Sequence, residues 1–382
     1  MSPSLAVGPD YGFGLYLHWP YCQQICPYCD FNVYAAKHRD TAPLFEAMLE
    51  DIRRHAALLP DHPALDSLFF GGGTPSLMSV AQIARVIETA ASTFGLSPNC
   101  EISLEANPND IAGRDLSGWL SAGVNRISLG VQSFDDNALT FLGRSHSRAE
   151  ALTAIETVQK RFSNHSIDLI YALPGQSLSD WQAQLERAFS LGVPHLSLYE
   201  LTIEPSTVFG KRHARGTLQP MPDDQQADLY EITQARCDAA GLPAYEVSNH
   251  ARDVSYQAKH NLIYWNSGDW LGIGPGAHGR LSQDGQRWTT QAARRPQAYI
   301  EASQPERVAL APNEVALEYL AMSLRPLTGL SLTRYHSLFG QRPDPDVRQS
   351  LEENALIQIS GDQLCLTLKG RLLADYVASR LA

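Results

Sequence analysis

Pro20-Tyr-Cys-Gln-Gln-Ile-Cys-Pro-Tyr-Cys-Asp-Phe31 sets three thiols, Cys22, Cys26 and Cys29, in one short loop. A cubic four-iron cluster takes one thiolate per iron, so three thiolates leave one iron open to another ligand. Zinc would need a fourth protein donor. His18 precedes the loop and His38 lies nine residues past Cys29, so neither completes such a set. A disulfide would strand an odd thiol and requires an oxidising compartment. Cys100, Cys237 and Cys365 are scattered singly in apolar stretches, as expected of structural thiols.

Outward from this loop, the chain reads as strand-then-helix units. Apolar, β-branched runs predict strands at 14–18, 67–70, 101–104, 126–131, 166–170 and 196–201. Apolar residues at three- and four-residue spacing predict helices over 42–59, 79–94, 114–122, 147–162 and 179–191, with Ser79, Ser147 and Ser179 as caps. Six such units imply parallel strands joined by right-handed crossovers, hence an α/β chain folded as a partial (β/α)6 barrel. Chemistry in such folds gathers at the C-terminal strand ends. The cysteine loop follows the first strand there, Gly71-Gly72-Gly73-Thr74-Pro75 follows the second, and Glu105, Gln132 and Thr202 close the third, fourth and sixth.

The spacing Cys-x3-Cys-x2-Cys resembles the radical S-adenosylmethionine (SAM) superfamily. Together with Gly71–Pro75, Glu101-Ile-Ser-Leu-Glu-Ala-Asn-Pro108, Arg126-Ile-Ser-Leu-Gly-Val-Gln-Ser-Phe134 and Ile167-Asp-Leu-Ile-Tyr-Ala-Leu-Pro-Gly175, it is similar to the oxygen-independent coproporphyrinogen III oxidase (HemN-like) branch. The resemblance implies a [4Fe-4S] cluster on Cys22, Cys26 and Cys29, with SAM on the fourth iron. It implies that Tyr16, Gly72 and Glu105 contact that SAM, and that Tyr28, Gly73, Thr74, Gln132, Arg144 and Asp168 line a second SAM position. Three departures separate the chain from the oxidase. Phe31 stands where the oxidase has a further cysteine, the first strand starts by about Phe13 without a long N-terminal arm, and His260-Asn-Leu-Ile-Tyr-Trp265 matches a motif of the related haem chaperone family.

That family resemblance implies haem as a third cofactor and haem-accepting proteins as partners, respiratory and membrane-associated ones included; a homodimer stays open. Haem needs an axial donor and flat apolar walls. His260 supplies a nitrogen, Tyr264 and Trp265 supply ring faces, and His278 in Trp270-Leu-Gly-Ile-Gly-Pro-Gly-Ala-His278 is a second candidate donor. Two function classes stay open: a haem carrier, and a radical enzyme that decarboxylates coproporphyrinogen or acts on another substrate.

The organisation expected is a radical SAM barrel over 1–240, a linking segment over 241–311 and a HemN-type C-terminal unit over 312–382. The last reads as helices followed by a hairpin around Ser360-Gly361-Asp362, resembling a winged helix. From Asn313 onward it holds seven Lys and Arg against eight Asp and Glu, and the whole chain carries a formal charge of -11, which disfavours nucleic acid. With 44% hydrophobic residues, no basic n-region and no membrane-length apolar run, the chain is expected to be cytoplasmic and not integral to a membrane. Replacing Cys22, Cys26 or Cys29 with Ala is expected to abolish iron and sulfide incorporation on anaerobic reconstitution, whereas Cys100→Ala, Cys237→Ala and Cys365→Ala retain it. Iron and acid-labile sulfide assays with the visible spectrum decide this.

Overall fold

The computed structural model describes residues 7–36, 40–59, 61–111, 114–302 and 305–382. His38 lies outside them. Six parallel strands run in chain order: β1 (Phe13–Trp19), β2 (Leu65–Gly72), β3 (Leu96–Ala106), β4 (Arg126–Gln132), β5 (His165–Tyr171) and β6 (His195–Glu200). Helices α1 (Ala42–Leu58), α2 (Val80–Phe94), α3 (Ser117–Ala122), α4 (Arg148–Gln159) and α5 (Leu178–Ser190) cross between them. The α/β partial barrel is therefore as the sequence predicts. Its strands are buried almost continuously, since one face meets helices and the other the barrel interior. Along β1, Leu15 and Leu17 join the apolar core while Tyr16 faces inward, the period of two that a strand imposes.

Local chemistry fixes where the helices begin. Ser79 and Ser147 accept from the third backbone N–H of α2 and α4, and Gln82 and Glu150 answer with the reciprocal bond. The expected cap Ser179 is instead inside α5; Ser177 caps it, paired with Asp180, because only that spacing aligns a carboxylate three residues on.

The stretch 241–311 supplies strands to the same sheet. After β7 (Asn249–Ala251), antiparallel to β6, helix α7 (Lys259–Trp265) leads to β8 (Asp269–Ile273), which pairs parallel with β1. A meander of β9 (His278–Gln283), β10 (Gln286–Gln291) and β11 (Glu306–Ala309) extends that edge, giving the order β11-β10-β9-β8-β1-β2-β3-β4-β5-β6-β7. The sequence reading missed β8, whose pairing partner β1 lies some 250 residues earlier in the chain.

The C-terminal residues carry their own core, including Tyr319, Leu330, Leu364 and Val377. Helices Pro312–Ser323, Leu332–Phe339 and Pro345–Glu353 surround a three-stranded sheet in the order Leu330–Ser331, Gln363–Leu366, Ile357–Ser360. This is the winged-helix-like arrangement expected. Glu318 fastens it to the sheet extension: Arg280 bonds this carboxylate at 2.6 Å and Arg287 stands 3.9 Å from it, Arg287 being held in turn by Asp269 and the Gly268 carbonyl inside the extension. Asp269 also accepts from Ser282 N–H at 2.6 Å. Removing one partner from such a pair leaves a buried charge alone. Asp269→Ala is therefore expected to cost about 3–5 kcal/mol, and Asp269→Asn less, read from urea unfolding midpoints.

Candidate functional site

Thirteen of the residues expected at a cofactor site, Cys22, Cys26, Cys29, Tyr16, Tyr28, Gly72, Gly73, Thr74, Glu105, Gln132, Arg144, Asp168 and His260, line one cavity of about 660 Å³. The cysteine loop forms its rim. One short parallel ladder holds the loop's ends together, with Tyr21 beside Tyr34 and Cys22 beside Ala35. Gly73 then threads beneath: its N–H donates to Trp19 O at 2.7 Å, and an added Cβ would stand 2.8 Å from Tyr21 O and 3.0 Å from the Cys22 sulfur. That close approach explains the glycine run.

A second glycine loop closes over the outgoing limb. Asn32 Nδ2 donates to Pro275 O at 2.8 Å and to Arg294 O at 2.7 Å. Its own carbonyl accepts from His18 Nε2 at 3.0 Å, which fixes that tautomer and leaves Nδ1 to accept from Tyr16 O–H at 3.0 Å. Burial holds the His18 pKa down, so this bridge is neutral. Sequence reasoning missed Asn32, which sits outside any cysteine spacing.

The thiols are free, and burial pushes Cys22 up and Cys29 up to about 11. A metal centre here would displace protons. Among the described residues no three His, Cys, Asp or Glu side chains converge tightly enough to hold one ion. Separate thiolates on separate irons fit this spread; a single zinc does not.

Across the cavity, Arg144 donates to Gly130 O at 2.8 Å and to Asn107 Oδ1, while its Nη1 stands 3.6 Å from the Cys26 sulfur. Asn107, a residue with no motif signal of its own beyond following Glu105-Ala106, thereby links β3 to β4. Gln132 sits at φ 67° beside a register shift in β4. A non-glycine residue there is strained, and strain of this kind concentrates at ligand sites. Its Oε1 and Arg144 Nε are buried without a hydrogen-bond partner among the described residues.

Two carboxylates complete the interior. Burial raises Glu105 to about 8, with Asp168 adding repulsion and a bond from the Gly72 backbone opposing it. Burial also raises Asp168 to about 6, although Ser128 Oγ donates at 3.0 Å. Acids this desolvated suit a cationic or hydroxyl-rich ligand.

The motif helix α7 forms the floor. His260 packs against Ser67 near the start of β2, five residues and roughly 16 Å of strand below Gly72. It is 2% exposed and stacks on Phe69 at 5.1 Å. Both ring nitrogens are engaged, Nδ1 with Ser67 Oγ and Nε2 with Tyr264 O–H, each at 2.6 Å, and burial drives its pKa down to about 3. As an axial donor it would first have to break one of these bonds. Tyr264 lines the cavity as expected, but Trp265 does not: the Arg325 guanidinium lies 5.1 Å over its ring, on the side of the C-terminal unit. Side chains of adjacent helical residues point about 100° apart, so one of the two rings had to turn away. His278 is exposed at the start of β9 and does not line the cavity.

Between about pH 4.5 and 8 the folded protein keeps the Glu105 proton that the unfolded chain releases, so stability falls as pH rises through that window and levels off above it. Asp168 adds to the same trend between about 4 and 6. Glu105→Gln is expected to flatten most of this slope in the ligand-free protein, as urea midpoints measured from pH 4.5 to 8.5 would show.

The Radical SAM superfamily model matches residues 16–188, and the HemN C-terminal domain model matches 310–373. The chain is 36% identical to the heme chaperone HemW of Mycobacterium tuberculosis over 99% of this chain and 97% of the relative. It is 33% identical to the heme chaperone HemW of Bacillus subtilis, covering 95% and 97%. Coproporphyrinogen III oxidase (HemN) from Escherichia coli shares the fold, with a TM-score of 0.79 at 22% identity over 97% of this chain and 90% of that one. With the three-thiol loop, the cavity it rims and likeness to HemW proteins along nearly its whole length, the chain belongs to the HemW family of radical SAM proteins.

Proposed function

We propose that the chain binds haem and passes it to acceptor proteins, while Cys22, Cys26 and Cys29 carry a [4Fe-4S] cluster that takes SAM on its fourth iron. One observation carries this reading: relatives named heme chaperones match nearly end to end. Phe31, 62% exposed, agrees with it, standing where the family resemblance sets a cysteine in the oxidase branch. Such a cluster supplies one electron for cleavage of the SAM sulfonium. Tyr16, Gly72 and Glu105 would hold that SAM, with Glu105 accepting from ammonium or ribose hydroxyls. Arg144 would pair a carboxylate at a second SAM position lined by Tyr28, Gly73, Thr74, Gln132 and Asp168. Among the described residues no helix is long and apolar enough to cross a membrane, in keeping with a cytoplasmic carrier that meets its acceptors at their surfaces.

The intact SAM-type lining favours a second reading, a radical enzyme acting on a substrate of its own. Under anaerobic conditions, the reconstituted protein with coproporphyrinogen III, SAM and a reductant is expected to give little or no protoporphyrinogen. The same preparation should bind haem, seen as a Soret band, and yield it to apomyoglobin. Efficient decarboxylation without haem binding would replace the carrier reading with the enzymatic one.

A further inference from the structure

Beyond the cavity, one more element is built onto the cysteine loop. Helix α6 (Val208–Ala214) follows β6, and the Phe209 N–H at its start donates at 2.9 Å to the carbonyl of Pro27, the residue after Cys26. The Phe209 ring is fully buried, 6.4 Å from the ring of Tyr28, whose neighbour in the chain is Cys29. On its other side the Arg212 guanidinium lies 5.6 Å over the same ring. Arg212, Phe209 and Tyr28 thus form a short column from the protein surface to the middle of the three-thiol loop.

The solvent side of α6 is unlike the rest of the chain. Lys211-Arg212-His213-Ala-Arg215 is the only five-residue window with three Lys or Arg, in a chain whose formal charge is -11. At about 100° per residue, Lys211, Arg215 and Arg212 fall within an arc of about 100°, on the side away from buried Phe209 and Gly210. Along the axis they stand roughly 3–9 Å from the residue bonded to Pro27, at 1.5 Å of rise per residue. His213 lies outside that arc, its Nδ1 donating to Leu218 O at 3.0 Å. None of the three cations has an ion-pair partner among the described residues. The helix dipole favours a cation in the last turn, but Lys211 and Arg215 are like charges four residues apart, which repel and cost the helix stability. The fold gains nothing from gathering them there.

We propose that α6 is the docking site of an acidic protein that carries single electrons, and that the electron enters the cysteine loop beside Phe209 and Tyr28. The proposal rests on the cluster part of the reading above. Each cleavage of a SAM sulfonium consumes one electron, so one must arrive from outside for every cleavage. In that delivery the carrier is oxidised by one electron and the cluster reduced by one, with no bond or proton exchanged. Charge selects the partner and its orientation: the net-negative chain repels an acidic protein everywhere except where a local positive face steers it in. Electron-transfer encounters bury little surface, which one exposed helix can supply.

The test uses a plant-type [2Fe-2S] ferredoxin, an acidic one-electron carrier. Its binding to the full-length protein, with and without the cluster, is measured by calorimetry at low and high salt. Reduction of the reconstituted cluster by reduced ferredoxin and by dithionite is followed by stopped flow. Replacing Lys211, Arg212 and Arg215 together with Gln is expected to weaken binding about tenfold at low salt and to flatten its salt dependence. The same variant should take electrons more slowly from ferredoxin but not from dithionite, with its iron content unchanged. Replacing Lys160 and Arg161, exposed just past the end of α4, with Gln removes charge elsewhere and should alter neither readout. A wild type that does not bind ferredoxin, or a triple variant that binds it equally well, overturns the docking site. Weaker binding with an unchanged reduction rate overturns α6 as the point of entry. A single-stranded oligonucleotide bound in place of ferredoxin, and lost in the triple variant, would assign the helix to nucleic acid instead. If no cluster assembles, the cluster reading fails by itself, and binding to the cluster-free chain still decides the docking.

Discussion

The Asn32 amide, bonded to the carbonyls of Pro275 and Arg294, is the contact on which the geometry of the site depends. A loop bearing three cysteines has little regular structure of its own, and a floppy loop cannot hold three sulfurs for one cluster. Here the loop is caught between two strands that are neighbours only in space. β1 delivers its first end and His18 bonds its last, while the glycine loop after β8 lies over it. Gly276 permits that overlay, because a Cβ at this φ of 78° would stand 2.7 Å from the Asn32 amide nitrogen. The parallel pairing of β8 with β1 thus serves the site as well as the sheet.

A second constraint is electrostatic. Glu105 and Asp168 are buried in the same cavity and repel each other, a costly arrangement in a protein that gains nothing from it. Together with the strained Gln132 backbone and the unpartnered Arg144 Nε, it marks a cavity whose polar groups are set for a ligand rather than for the fold.

What could be read from the sequence divides along physical lines. Strand ends and their polar residues were legible because a crossover topology forces parallel strands to end together, so Glu105, Gln132 and Thr202 were bound to meet the cysteine loop once the period was recognised, whereas Asp168, midway along β5, was expected from the family resemblance alone. The helix caps were legible to within two residues, Ser177 displacing Ser179 because the reciprocal partner Asp180 decides. Long-range pairing was not legible. Nothing local in Asp269–Ile273 announces that β1 is its neighbour, and the Asn32 clamp depends on that pairing. The direction of α7 was equally hidden, so the sequence could name His260 and Tyr264 without showing that they bond each other.

That last contact shapes the closed end of the barrel. At the floor, Ser67, His260 and Tyr264 form a closed neutral chain whose pKa shifts all disfavour charge. Such a chain gives the cavity a low-dielectric wall, and burial, with repulsion from Asp168, raises the Glu105 carboxyl. Because both His260 nitrogens are spent in the chain, the motif histidine serves the site by keeping its floor neutral, and the groups left to meet a polar ligand are Glu105, Asp168 and Arg144 in the same cavity.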